Sequence, residues 1–323
     1  MNFTELIRLS NHLDKLTMQD VQQDVIDRFN TIMHNSDIPE AGVDGIFRQT
    51  LTDSHDALQQ LFFKFEKDLD NFKLEVKTKI EKEGRAWLQK SYSIYEQQLE
   101  THLSQQPEAV DLHKNKPITL DEELTYLFTT KVGSYNSWLY PAMIIHPGSE
   151  PFIQQMLGSD PLYIVDESRY LIDPVLAQFN EGYRRRLRPY VIEESFDQPI
   201  LKDLPDNQFG FVFAYNYLNY RPFEIIKKYI EEIYTKLAPG GTLIMTFNDC
   251  DRYQAIQLVE QSITCYTPGS LIYGWINYVG FEEISRHEDK NSPSTWVELR
   301  KPGQFESLRG GQSLAKILPK PVA

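Results

Sequence analysis

Hydrophobic positions fall into two kinds of text along this chain. Up to about residue 113 they recur at helical spacing among charged and amide residues. Beyond it, short apolar runs alternate with helical stripes. The densest stretch is Phe209 to Phe247, FGFVFAYNYLNYRPFEIIKKYIEEIYTKLAPGGTLIMTF. Phe209 to Tyr215 is short, aromatic-rich and non-periodic, as a strand buried on both faces should be. Ile225, Ile226, Tyr229, Ile230, Ile233 and Leu237 then make one stripe of a helix. Pro222 fits its first position, and Pro239, Gly240 and Gly241 are expected to stop it. Leu243 to Phe247 is the next buried strand, and a crossover of this length implies two parallel strands joined right-handedly.

The first 113 residues predict helices throughout. A pair is expected over Thr4 to Leu16 and Asp20 to Met33, followed by a turn region, IPEAGVDG. From about Gly45 to Leu103 runs one long charge-rich pattern. Its steps of seven (Leu58, Phe65, Phe72; Leu69, Val76; Ile80, Trp87, Ile94) alternate with steps of three and four. Gly84 is the expected bend. This helix reads either as lying against its own C-terminal domain or as an oligomerisation or docking arm. The polar, proline-broken stretch Gln105 to Lys116 places a domain boundary at 113/114. Thr119 to Val132 predicts a helix capped by Asp121.

The α/β text then runs to residue 302. Strands are expected at Ala142–Ile145, Leu162–Val165, Tyr190–Glu193, Phe209–Tyr215 and Leu243–Phe247. Helices are expected at Phe152–Leu157, Arg169–Gly182 and Arg252–Cys265. Phe281–His287 and Thr295–Arg300 predict a closing antiparallel pair. Alternation of this kind specifies a doubly wound, mostly parallel sheet. Residues 303–323 carry no period and predict an extended tail.

Composition narrows the setting. The 323 residues are 41% hydrophobic and carry a net charge of −13, which argues against a broad nucleic-acid surface. Two cysteines, Cys250 and Cys265, can make neither a disulfide framework nor a thiolate metal site, so a cytoplasmic setting and no metal are expected. No charged-then-apolar leader follows Met1 and no apolar run reaches membrane-spanning length, so neither secretion nor membrane insertion is expected.

In a doubly wound sheet, ligands sit beyond the strands' carboxyl ends where strand order reverses. Three loops lie there: His146-Pro147-Gly148-Ser149-Glu150, Asp166-Glu167-Ser168, and Tyr215 to Tyr220. With the LAPGG turn (Leu237–Gly241) and YVGFEEI (Tyr278–Ile284) leading to WVELRKP, residues 135–302 resemble the class I S-adenosylmethionine-dependent methyltransferases. The resemblance implies a seven-stranded Rossmann-like sheet with S-adenosylmethionine as cofactor. It places the cofactor's amino-acid part on the loop His146, Pro147, Gly148 and Ser149. Its ribose falls to Asp166 with Glu167, and its adenine to Ser195, Phe196 or Asp197. Tyr215 is also expected to contact the cofactor, and the methyl acceptor is placed at Tyr215 and Asn216. His146, Tyr215 and Asn216 are the candidates for catalysis.

Two features depart from the family pattern: the first loop holds Gly148 alone, and Gly210 stands where an acid usually begins strand four. Each residue also has a plainer reading. Asp166 can cap the next helix, Gly148 can serve a tight turn, and His146 can be structural. Tyr215 to Tyr220 can be a pocket rim or a protein-binding surface. The run Arg184, Arg185, Arg186, Arg188 is either a helix end or a grip on an anion. Two functions follow. One is a methyltransferase of unknown acceptor. The other is an inactive methyltransferase-fold assembly protein, for example in a larger particle, a viral one included. Such a protein would associate with itself or with protein partners through residues 1–113 and the tail.

Overall fold

The computed structural model describes residues 2–15, 46–104, 122–147, 150–261, 263–288 and 293–304. The expected helix at Asp20–Met33, its turn, the cap at Asp121, the 113/114 boundary and the tail from residue 305 lie outside them. The chain divides into two compact units, Met1–Ala86 and Trp87–Ala323.

In the first unit, α1 (Phe3–Leu13) opens with a reciprocal cap. The Asn2 side chain accepts from the Glu5 backbone N–H while the Glu5 carboxylate accepts from that of Asn2. Phe3, Leu6, Ile7 and Leu13 are buried along one stripe. The long pattern is a single helix, α2 (Ile46–Ser104), and Gly84 does not interrupt it. Lys77 on α2 pairs with Asp14 at 3.3 Å.

The second unit is built on seven strands: β1 (Ala142–Ile145), β2 (Leu162–Asp166), β3 (Leu187–Val191), β4 (Phe209–Ala214), β5 (Leu237–Asn248), β6 (Glu282–Glu288) and β7 (Ser294–Arg300). Their order is β3-β2-β1-β4-β5-β7-β6. Only β7 runs against its neighbours β5 and β6. Order reverses between β1 and β4, which pair in parallel from Ala142↔Phe211 to Ile145↔Ala214. Alternate residues feed two cores. Met143, Ile145, Val212 and Met245 pack with Tyr229 and Ile230 of α7 (Phe223–Lys236) on one face. Ile144, Ile164, Phe211, Phe213 and Trp296 pack with Phe128 on the other. Phe128 lies in a π-helical turn, Phe128–Val132, that follows α3 (Glu122–Leu127). The remaining helices are α4 (Glu150–Met156), α5 (Arg169–Ala177), α6 (Glu181–Arg184), α8 (Tyr253–Glu260) and α9 (Gly269–Val279).

Several boundaries differ from the sequence reading. Pro222 is the N-cap of α7, not its first residue. The Pro-Gly-Gly turn does not end α7 either. The helix stops at Lys236 because Leu237, fully buried, swings into the sheet opposite Phe209. Gly240 (φ 79°) and Gly241 form the irregular start of β5, where a Cβ on Gly241 would stand 2.8 Å from the Phe209 carbonyl oxygen. β3 starts at Leu187, three residues early, because its pairing with β2 carries Pro189 on a sheet edge where a missing N–H is tolerated. The helix expected to reach Gly182 ends at Ala177, and Asn180 caps the separate α6. The helix from Arg252 ends at Glu260, short of Cys265. A further helix, α9, fills the stretch before Gly280, which closes it at φ 98°.

Candidate functional site at the strand carboxyl ends

His146 follows β1 with φ 54°, a left-handed backbone that costs a non-glycine residue strain. That turn lays its ring on Tyr217, centroids 5.3 Å apart, and brings Nδ1 within 3.0 Å of Asp166 Oδ2. The other Asp166 oxygen accepts from the Glu167 N–H at 2.7 Å. Asp166 is 1% exposed, and each of its oxygens has a partner inside the fold. It does not cap the next helix; Ser168 does, at the N-terminus of α5. Pro147 is buried, and Gly148 and Ser149 lie outside the described residues.

Beside this pair lies a charged cluster. Arg221 donates from Nε to both Glu194 oxygens, at 3.1 and 3.0 Å, and from its terminal nitrogen to Glu167. The Tyr217 hydroxyl lies 2.7 Å from Glu167 Oε1, 2.7 Å from Glu194 Oε1 and 3.1 Å from the Tyr229 hydroxyl. Tyr229 donates to Glu194 at 2.7 Å, and Tyr95 of α2 donates to the other Glu194 oxygen. The guanidinium stacks on Tyr217 at 4.1 Å. Arg221, Glu194, Tyr217, Tyr229 and Tyr95 are all buried. Burial alone would raise the Glu167 carboxyl. The charge of Arg221 and the bonds from Tyr217 and Arg221 outweigh it, so its pKa is lowered. Burial and the two carboxylates hold the Tyr217 and Tyr229 phenols neutral, well above the usual range.

The loop after β3 faces the same cluster. Phe196 packs against Tyr92 and Tyr95 of α2, at 4.3 and 5.9 Å between centroids. Ser195 Oγ accepts from the backbone of Asp197 and Gln198, and Asp197 is exposed. One turn up the helix, Ser91 Oγ accepts from Tyr266 N–H at 2.9 Å. Three bonded or stacked points therefore fix residues 91–95 of α2 across the ends of β3 and β4.

Tyr215 and Asn216 do not join this group. The Tyr215 ring packs on Phe128 at 4.9 Å and on Trp296, in the core of the opposite face. Asn216 takes φ 52° and donates its N–H to Thr246 Oγ1 at 2.6 Å. Asn219, Thr246 and Asn248 complete a satisfied buried network that ties the loop to β5. The structure thus gathers His146, Asp166, Glu167 and Phe196 and separates Tyr215. Sequence reasoning placed Tyr217 in a site loop but missed Glu194, Arg221, Tyr229 and Tyr95. An arginine amid the aromatics of YNYLNYRPF was the available signal.

The basic run is structural. Arg184 donates to the Leu176, Ala177 and Phe179 carbonyls, Arg186 to those of Gly158 and Ser159, and Arg188 to that of Arg185. Cys250 and Cys265 are buried, and burial pushes the Cys265 thiol to about 12. Among the described residues no cluster could hold a metal, and no helix is long and apolar enough to cross a membrane.

No protein-family model and no curated protein matches the chain. Among solved structures it is similar to the N-methyltransferase NodS of Bradyrhizobium japonicum in complex with S-adenosyl-L-homocysteine, at 13% identity over 64% of this chain and 98% of that one, TM-score 0.42. It is also similar to a complex of the Haloferax volcanii Trm112 methyltransferase activator with a methyltransferase (14%, 56% and 92%, 0.44). A Mesorhizobium loti S-adenosylmethionine-dependent methyltransferase gives 10%, 52% and 93%, with a TM-score of 0.41. The strand order and the single antiparallel strand themselves define the sheet as Rossmann-like and methyltransferase-type.

Proposed function

We propose that this chain is a methyltransferase-fold protein that does not use S-adenosylmethionine and works as an assembly component through protein–protein contacts. One observation carries the reading. The carboxyl ends of β2, β3 and β4, where the fold holds a ligand, are closed by Arg221 between Glu167 and Glu194, under Tyr95 of the chain's own helix. The residues present do not fit the cofactor. Asp166, the carboxylate placed against the ribose, is buried and already has a partner on each oxygen. Admitting a ribose would break its bond to His146. Admitting an adenine beside Phe196 would strip Tyr92 and Tyr95 from that ring and take the Tyr95 donor from Glu194. Losing a buried hydrogen bond to a charged group costs about 1.5–3 kcal/mol. That alone would weaken a ligand by a factor of more than about ten.

The test is calorimetric titration of the full chain with S-adenosylmethionine and with S-adenosyl-L-homocysteine. No heat of binding at millimolar ligand is expected. Micromolar binding to either would overturn the proposal and return the chain to the enzymes.

A further inference from the structure

A different part of the molecule carries a more specific statement about assembly. In the first unit, α2 exposes three large apolar side chains on one side: Leu61 (66% exposed), Phe65 (50%) and Phe72 (44%). At 100° per residue they fall within about 40° of arc. Single exposed hydrophobes need no explanation, but three in a row along one helix face do. Beside them on the same face stand Lys64, Asp68, Glu75 and Lys79, all exposed.

We propose that this stretch of α2 pairs antiparallel with the same stretch of a second copy of the chain, about a two-fold axis passing between Leu69 and Asp70. Lys64 and Glu75 favour that geometry, against the two Asp68 carboxylates, which lie about 4.5 Å apart along the axis in it and level with each other in a parallel pair. About such an axis residue 64 comes level with residue 75. Lys64 of each copy then meets the partner's Glu75, and symmetry makes the contact twice. Phe65 comes within two residues, roughly 3 Å along the axis, of level with the partner's Phe72. The apolar stem of Lys79 falls over the partner's Leu61. A parallel, in-register pairing would instead set Lys64 level with Lys64 and Glu75 level with Glu75. Phe63 and Leu74 point to the far side of the helix, and the pairing leaves them in solvent. The pairing deepens the assembly role proposed above and rests on it for its use, while its geometry is independent of the strand-end cluster. The titration and the experiment below can therefore fail separately.

The experiment is sedimentation equilibrium of the full chain with charge-reversal variants. Lys64 and Glu75 are exposed, so neither change threatens the fold, and circular dichroism checks that. Wild type is expected to dimerise with concentration. K64E and E75K should each weaken the dimer about ten-fold, because two attractive contacts of a few tenths to 1 kcal/mol become repulsive. The double variant K64E/E75K should regain wild-type affinity. An equimolar mixture of the two single variants should pair with each other better than either pairs with itself. A wild-type chain that stays monomeric at about 100 µM would overturn the proposal. So would a dimer indifferent to both reversals, or a double variant no tighter than the singles.

Discussion

Arg221→Met is the sharpest probe of the strand-end cluster. Methionine keeps an unbranched side chain of similar reach and removes the charge. What remains is two carboxylates, Glu167 and Glu194, held by the hydroxyls of Tyr217, Tyr229 and Tyr95 but without a cation between them. Removing one partner from a buried ion cluster leaves an uncompensated charge and costs about 3–5 kcal/mol. For a unit of this size that lowers the melting temperature by roughly 6–20 °C. The pH dependence identifies the cause. In the wild type the Glu167 pKa is depressed, so its contribution is present above the unfolded value and lost as pH falls through the folded one. In Arg221→Met the Glu167 carboxylate lacks its cation and takes up a proton more readily, so the gap to wild type should narrow toward pH 4. Removing both carboxylates as well, as Glu167→Gln/Glu194→Gln/Arg221→Met, should recover most of the loss, since the penalty belongs to the unpaired charges. Urea denaturation of the three proteins across pH measures all of this. A loss under about 1 kcal/mol at pH 7, or a gap that stays constant with pH, would mean that the cluster is neither dry nor paired.

Two further outcomes follow from packing and titration. Gly210→Ala should destabilise by about 1–3 kcal/mol, because the new Cβ would stand 2.2 Å from the Tyr140 ring; a Tm within a degree of wild type would refute that close approach. Glu298, buried on β7 with Lys131 Nζ at 2.8 Å and Ser285 Oγ at 2.5 Å, has a pKa that burial raises and these donors bring down below the ordinary value. Its stabilising contribution is therefore present above about pH 4.5 and lost as pH falls through its folded value. Glu298→Gln should lower stability at pH 7 and flatten the acid limb of the Tm profile. Asp249, raised by burial, works in the opposite direction, so the readout is the difference between the two proteins, and parallel profiles would exclude Glu298.

Much of the fold was legible because strands buried on both faces leave unbroken apolar runs. AMII, LYIV and FGFVFA needed only their unbroken apolar runs, and their parallel pairing follows from the helices between them. What failed is instructive. Nothing local in LAPGG distinguishes a helix stop from a strand entered directly, because the choice is made by where the Leu237 side chain is buried. α9 was missed because GSLIYGWINYV is so apolar that its helical period is hidden, and two of its residues are glycines. The site was half legible. Asp166 and Glu167 were found because strand ends are predictable. Glu194, Arg221 and Tyr95 were not, because their meeting depends on three elements far apart in sequence.

On the reading proposed above, that meeting lets the fold persist without a bound cofactor. A ligand-binding sheet leaves polar, incompletely satisfied groups at its strand ends, which a bound ligand satisfies. Here Arg221 supplies the cation, Tyr95, Tyr217 and Tyr229 the hydroxyl donors, and His146 the remaining bond to Asp166. The crevice is satisfied from within, so no ligand is needed to hold it together. Such a cluster contributes little net stability over an apolar filling, yet it is costly to open. That asymmetry is what a closed scaffold requires and what a working cofactor site must avoid, since every turnover would break and remake the same buried charges. The fold therefore sets where a ligand would go, and on the reading proposed above the side chains at the strand ends take its place.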